Sequence, residues 1–214
     1  VITGRTTIGK QNHFYPFSTI GESPQDMKYK GEDTELEIGD RNTIRESCTI
    51  NKGTVQDTGV TRLGNDNWIM AYVHIAHDCQ IGNNTIFANN TTLGGHIEVG
   101  DYAIFGGFSG AHQFCKIGSH SFLGIYSGVA KDLPPYVIVT GQPAVPRGIN
   151  IEGLKRRGFT TEQIRNIKNA YKLLYNSDLR LEEAQEKISG LDEVSNELQV
   201  MLEFIQASTR GIIR

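Results

Sequence analysis

Aromatic residues are scarce in this chain of 214 residues, at 8%. Much of its core must therefore be built from small and branched side chains. Cysteine is rarer still, and three thiols in a chain this long do not make a disulfide framework. There is no excess of basic residues. Lys and Arg total 21 against 24 Asp and Glu, a formal charge of −3, which argues against a general nucleic-acid binder. No apolar run approaches the roughly 18 residues of a membrane span. The stretch Val1 to Lys10 lacks a basic region followed by an apolar one, so a cytoplasmic protein is expected. Neither a Gly-x-Ser-x-Gly elbow nor a phosphate-binding loop between strand and helix is present. What the chain does have is glycine, 24 in all, and that load points to a repeat.

The repeat is plain from Leu63 onward. Every sixth residue is apolar: Leu63, Ile69, Ile75, Ile81, Phe87, Leu93, and so on to Val129. The column that follows is mostly Gly or Ala, from Gly64 to Ala130. A third column, from Val73 to Ser127, is small or apolar. A period of six matches neither a helix at 3.6 nor plain alternation at two. It fits short strands joined by tight corners, with one large and one small side chain inward per hexad. Three such faces close a triangular prism, and parallel strands stack at roughly 4.8 Å per coil. The glycines are read as the corners of that coil. Cys79 and Cys115 fall in one inward column two coils apart, roughly 9.6 Å, which is too far for a disulfide. Cys48 holds the equivalent place, and all three read as small core thiols.

The same phase appears in Ile2, Ile8, Phe14 and Ile20, and again in Ile38, Ile44 and Ile50. The chain thus opens in mid-pattern and on Val, as if earlier coils preceded it. Two breaks in phase, at about 22–37 and 54–62, read as loops thrown out of the prism, where function tends to sit. Pro134-Pro135 ends the strand pattern. The expected organisation is a β-helix over 1–137, a connector over 138–153 and a small α-helical domain over 154–214. In the last part Thr160 or Thr161 caps a helix carrying Ile164, Ile167, Tyr171 and Leu174. Two more amphipathic segments follow at Leu181–Ile188 and Val194–Ile205.

Exceptions to a repeat are visible, and rules are broken most often at functional sites. Stacking the 18-residue coils places His77, Gly95 and Gln113 on one edge, with Asp78 and His96 beside them and Gly94 under His112. His74 lies a few residues back. Histidine is suited to take a proton near neutral pH, and Asp78 is the carboxylate that can orient it. A glycine backbone N–H can serve an oxyanion. Histidines that merely hydrogen-bond between coils are the competing explanation, and four around one edge favour function. A metal site is a third option, but the chain lacks a His-x-x-x-His helix or paired-cysteine motif, and none is expected. His13 and His120 read as surface or corner residues. The basic run Lys155-Arg156-Arg157 suits phosphate, although charge alone favours a solvated junction.

The strings HIAHDC (74–79), LGGH (93–96), AHQF (111–114), NIEGLKRRGF (150–159) and NAYKLLY (169–175) resemble the bacterial UDP-N-acetylglucosamine O-acyltransferases. The loop QDMKYKGE (25–32) and the closing STRGIIR fit as well, so the resemblance covers the whole chain. It implies a mainly β fold, a left-handed parallel β-helix of hexapeptide repeats with a C-terminal α-helical domain. It implies transfer of an (R)-3-hydroxyacyl group from acyl carrier protein to the glucosamine 3-hydroxyl of UDP-N-acetylglucosamine, the first step of lipid A synthesis. A homotrimer with active sites between subunits follows, with no bound cofactor. Carried over residue by residue, His77 is the general base and the Gly95 N–H the oxyanion donor. Asp26 and Lys28 lie near sugar and phosphate. His74, His96, His112 and Gln113 line the cleft. Asn150, Glu152, Arg156 and Arg157 serve the nucleotide side. Ile125 occupies the place that sets acyl length, and its bulk implies a chain shorter than the longest in the family. Open alternatives are N-acylation of a 3-amino UDP-sugar, a coenzyme-A-dependent acetyltransferase and a non-enzymatic scaffold.

Overall fold

The computed structural model describes residues 1–191 and 195–214. Among these, short strands build the three faces of a prism. The first face runs through Arg5–Ile8, Glu35–Ile38, Val60–Leu63, Gln80–Ile81, Glu98–Val99 and Lys116–Ile117. The second starts at His13–Phe14 and includes Ile86–Phe87 and Phe122–Leu123, and the third runs from Thr19–Glu22 through His74–Ile75 to Gly128–Val129. Consecutive strands pass from face to face. Strands one coil apart pair in parallel register, Gln80 with Glu98 and Ile81 with Val99.

The period-six apolar column fills the interior. Ile69, Ile75, Phe87, Leu93 and Phe105 are fully buried, and Phe87 stacks on Phe105 at 4.5 Å between ring centroids. Each such side chain contributes about 1.5–3 kcal/mol on burial. The cysteines are free, and burial raises each thiol pKa: to about 12 at Cys79 and to about 11 at Cys48 and Cys115.

The corners correct one expectation. From Asp66 to Tyr126 every sixth residue is left-handed with φ of 56–66°, and none is glycine: the set includes Asp78, His96, Tyr102, Phe108, Phe114 and His120. Such a conformation costs roughly 1–2 kcal/mol per residue. Coil stacking offsets it. The His96 N–H donates to the His77 carbonyl at 3.0 Å, and the rings of His96 and Phe114 stack at 4.4 Å. The repeat glycines do a different job. A Cβ on Gly64 would lie 2.5 Å from the Gly82 carbonyl oxygen, so that column is small because coils touch there.

After Pro135 the chain adds Val137–Thr140 to the second face and returns antiparallel as Val145–Ile149. The stretch expected as a connector therefore carries a hairpin, because Val137 and Val139 still alternate into the core. Helix α1 (Ile151–Arg156) is capped by Asn150, whose Oδ1 accepts from the Gly153 N–H. Helix α2 (Thr161–Tyr175) starts in a capping box of Thr160 and Gln163. Helices α3 (Leu181–Ser189) and α4 (Asn196–Gln206) follow. Val194, the expected start of the last helix, lies outside the described residues. Leu154, Ile167, Leu174, Ile188, Met201 and Ile205 form the second core.

Candidate active site

Strand His74–Ile75 ends at the corner where His77 and Asp78 sit. Asp78 accepts the left-handed conformation more readily than most residues. Its N–H donates to Thr61 Oγ1 at 2.8 Å, and the residue is buried. The His77 Nδ1 lies 2.8 Å from Asp78 Oδ2. Thr54 completes the shell, its N–H donating to Asp78 Oδ1 at 2.9 Å and its hydroxyl to Oδ2 at 2.6 Å. Burial pushes the Asp78 carboxyl up, but the hydrogen bonds from His77 and Thr54 and the nearby His96 outweigh it and hold the group below its ordinary range. An ionised carboxylate only accepts. The proton of neutral His77 therefore sits on Nδ1, and Nε2 carries the lone pair.

His96 packs edge-on against His77 at 4.9 Å and sets its own Nδ1 2.8 Å from Asp57 Oδ2. His77, Asp78 and His96 present ligand atoms within 4.8 Å of one another, a spacing that could surround a cation. Both Nδ1 atoms are already engaged with carboxylates, so the cluster is satisfied as two histidine–carboxylate pairs. Gly95 lies under the His77 ring: a Cβ there would meet His77 Cε1 at 2.5 Å. Gly95 is buried, and its N–H has no hydrogen-bond partner among the described residues.

The two ejected loops meet beside this corner. Gln56 Nε2 donates to Asp26 Oδ2 at 3.1 Å, and Lys28 Nζ reaches Gln56 Oε1 at 3.5 Å. The Lys28 N–H, donating to Asp26 Oδ1 at 2.9 Å, holds that carboxyl below its ordinary range. His74 sets Nδ1 2.6 Å from Thr49 Oγ1, and burial with His77 close by lowers its pKa. His112 Nδ1 faces the Gln113 carbonyl at 3.1 Å. From His112 an open groove of about 700 Å³ crosses the third face past Gly110 to Phe108 and Tyr126.

Other expected residues lie elsewhere. Asn150 donates from Nδ2 to the His120 carbonyl at 3.0 Å. Arg157 lies over the Tyr102 ring at 5.0 Å and 3.4 Å from His120 Nδ1. Burial and the Arg157 charge push His120 down to about 4. Glu152 pairs with Lys155 at 3.1 Å in solvent, and Arg156 is exposed. All of these sit at the corner between the first and second faces, one face away from His77. Ile125 is 63% exposed beside Tyr126, at the corner between the second and third faces. Thr54, Gln56, Asp57 and Thr61 escaped the sequence reading. The only signal for them was the break in phase at 54–62.

A parallel prism built on a period of six is the fold of the hexapeptide-repeat transferases. The family model for bacterial transferase hexapeptides (six repeats) matches residues 61–95, and domain 2 of UDP-N-acetylglucosamine O-acyltransferase matches 132–213. The chain is 59% identical to the acyl-[acyl-carrier-protein]–UDP-N-acetylglucosamine O-acyltransferase of Thiobacillus denitrificans over 204 residues, covering 95% of this chain and 79% of that protein. It is 53% identical to the enzyme of the same name from Verminephrobacter eiseniae, covering 100% and 83%. Among solved structures, a UDP-N-acetylglucosamine O-acyltransferase from Moraxella catarrhalis superposes with a TM-score of 0.95 at 46% identity, covering 98% of this chain and 82% of that one. The chain belongs to the acyl-[acyl-carrier-protein]–UDP-N-acetylglucosamine O-acyltransferase family. Its β-helix is accordingly left-handed, as the resemblance implied.

Proposed function

We propose that this protein moves an (R)-3-hydroxyacyl group from acyl carrier protein to the glucosamine 3-hydroxyl of UDP-N-acetylglucosamine, the opening step of lipid A synthesis. The observation that carries the reading is the His77–Asp78 pair at 2.8 Å, set against the Gly95 N–H, which has no partner among the described residues. His77 Nε2 takes the hydroxyl proton as the oxygen attacks the thioester carbonyl. The oxyanion so formed accepts a hydrogen bond from the Gly95 N–H. Collapse breaks the C–S bond, and the departing thiolate takes the proton back from Nε2. The products are an ester and a free carrier thiol. A thioester is already activated, so a base and an oxyanion donor suffice. Asp78 orients His77 and stabilises its protonated form. His96, held by Asp57, packs against the base.

Asp26 and Lys28 bind near sugar and phosphate, and His74, His112 and Gln113 line the cleft. Asn150, Glu152, Arg156 and Arg157 hold the nucleotide side. They stand one face away from the base, so in this reading they act on the site of a neighbouring copy, and the working unit is a homotrimer in the cytoplasm. The test is a product assay by mass spectrometry with UDP-N-acetylglucosamine, its 3-amino analogue and a mixture of hydroxyacyl carrier-protein donors. A UDP-sugar gaining one hydroxyacyl group on the hydroxyl substrate is expected. Acylation of the amine alone would overturn the O-transfer reading.

A further inference from the structure

The closing segment Ser208 to Arg214 has no part in the chemistry above. It doubles back onto the end of the β-helix. The Asp132 N–H donates to the Gly211 carbonyl at 3.0 Å, the Ile213 N–H to the Asp132 carbonyl at 2.9 Å, and Ser208 Oγ to Asp132 Oδ2 at 2.6 Å. Gly211, at φ +74°, makes the turn, and Ile213 enters the core. Arg210 is thus fixed by the bonds of its neighbours while its side chain is exposed.

Among the described residues that guanidinium makes no ion pair, and its one sulfur contact is the neutral Cys115 thiol. It lies 3.5 Å from His112 Nδ1 and 3.4 Å from the Ala130 carbonyl. The His112 Nδ1 is closer to the Gln113 carbonyl, at 3.1 Å, and a carbonyl only accepts. Nδ1 therefore carries hydrogen and cannot accept from Arg210. A long bond to the Ala130 carbonyl and a weak one to the Cys115 thiol remain, among the described residues, for five donors. The neighbouring carboxylate, Asp132, is buried and spends its oxygens on Ser208 and on the Lys116 N–H at 2.8 Å. Lys131 adds an exposed cation next door. His112 and Ala130 line one end of the groove on the third face, so a pre-positioned arginine stands at its mouth.

We propose that Arg210 binds the phosphodiester of the acyl donor's pantetheine arm. The proposal rests on the acyl-carrier-protein reading above. His77, Gly95 and Gln113 occupy successive coils, and Arg210 lies against the last of these and the coil beyond. At roughly 4.8 Å per coil it stands about 10–14 Å from the base along the axis. A flexible pantetheine arm spans that distance, whereas a diphosphate attached directly to the acylated sugar stays closer.

The test compares hydroxyacyl-phosphopantetheine with hydroxyacyl-pantetheine, which lacks the phosphate. In the unaltered protein KM should be about tenfold lower for the phosphate-bearing donor, as one charge-assisted contact warrants. Arg210→Ala should collapse that ratio to about one. Arg210→Lys should keep part of it, since a point charge replaces the fork. A ratio unchanged in Arg210→Ala overturns the proposal. So does an equal rise in KM for the UDP-sugar, which would assign the arginine to the acceptor. Titration of phosphopantetheine against pantetheine by calorimetry needs no turnover, and equal binding of both overturns the proposal. Arg210-dependent preference for the phosphate in a protein that transfers no acyl group would keep the anion site and overturn the acyltransferase reading instead.

Discussion

A single methyl group at Gly95 should disable the enzyme without unfolding it. The Cβ of alanine there would lie 2.5 Å from His77 Cε1 and 2.7 Å from Nε2, where ordinary contact begins at 3.4 Å. The ring must retreat by about 0.9 Å. Gly95 is not among the residues with positive φ, so alanine adds no backbone strain. The His77 side chain is 13% exposed and has somewhere to go. The cost therefore falls on position. A misplacement of about 1 Å at a reacting group costs on the order of 10²-fold in rate. Gly95→Ala should lower kcat by that factor and shift stability by less than about 1 kcal/mol. Product formation at saturating substrates gives the first number and thermal unfolding the second. A kcat within threefold of the unaltered protein would refute the reasoning, since it would mean the position of the His77 ring does not set the rate.

Four further outcomes follow from the same structure. Asp78→Asn removes the acceptor that keeps hydrogen on His77 Nδ1, so the ring turns to the wrong tautomer and kcat at neutral pH should fall by roughly 10²–10³. Because the folded Asp78 carboxyl is held below its ordinary range, its contribution to stability is present above about pH 3.9 and lost as pH falls through the folded value. The stability gap between the two proteins should therefore close in acid, as denaturant titrations at several pH values would show. Ile125→Gly should lengthen the preferred donor in a competition among hydroxyacyl chains, and an unchanged profile would remove Ile125 from chain selection. Mixing His77→Ala with Arg156→Ala protein and allowing subunits to exchange should restore product that neither variant makes alone. No recovery would mean base and nucleotide contacts belong to one chain.

The solenoid was legible because its period is enforced by contacts. Ile75, Leu93 and Ala111 pair in register across successive coils, so each coil repeats the same inward choice. The histidine edge was legible for the same reason, since stacking by 18 converts sequence distance into neighbourhood. The corners were not. Left-handed conformation is ordinarily a glycine property, yet here it is borne by His, Tyr, Phe, Asn and Asp residues whose N–H groups donate to the preceding coil and whose rings, where aromatic, stack on neighbouring coils. The shell around Asp78 was hidden too. Thr54 and Asp57 lie in a loop without periodicity, and nothing in their spacing says that the chain folds back onto residues 78 and 96. Arg210 is more than a hundred residues from Gly95 in sequence, and only the bonds between Asp132 and the tail bring it to the groove.

The central claim is that His77 removes the proton from the acceptor hydroxyl. The direct measurement is kcat for His77→Ala against the unaltered protein, with both substrates saturating and the acylated UDP-sugar counted by mass spectrometry. A loss of about 10²–10⁴-fold is predicted, the range a positioned base supplies. A variant that turns over within threefold of the unaltered protein would contradict the account.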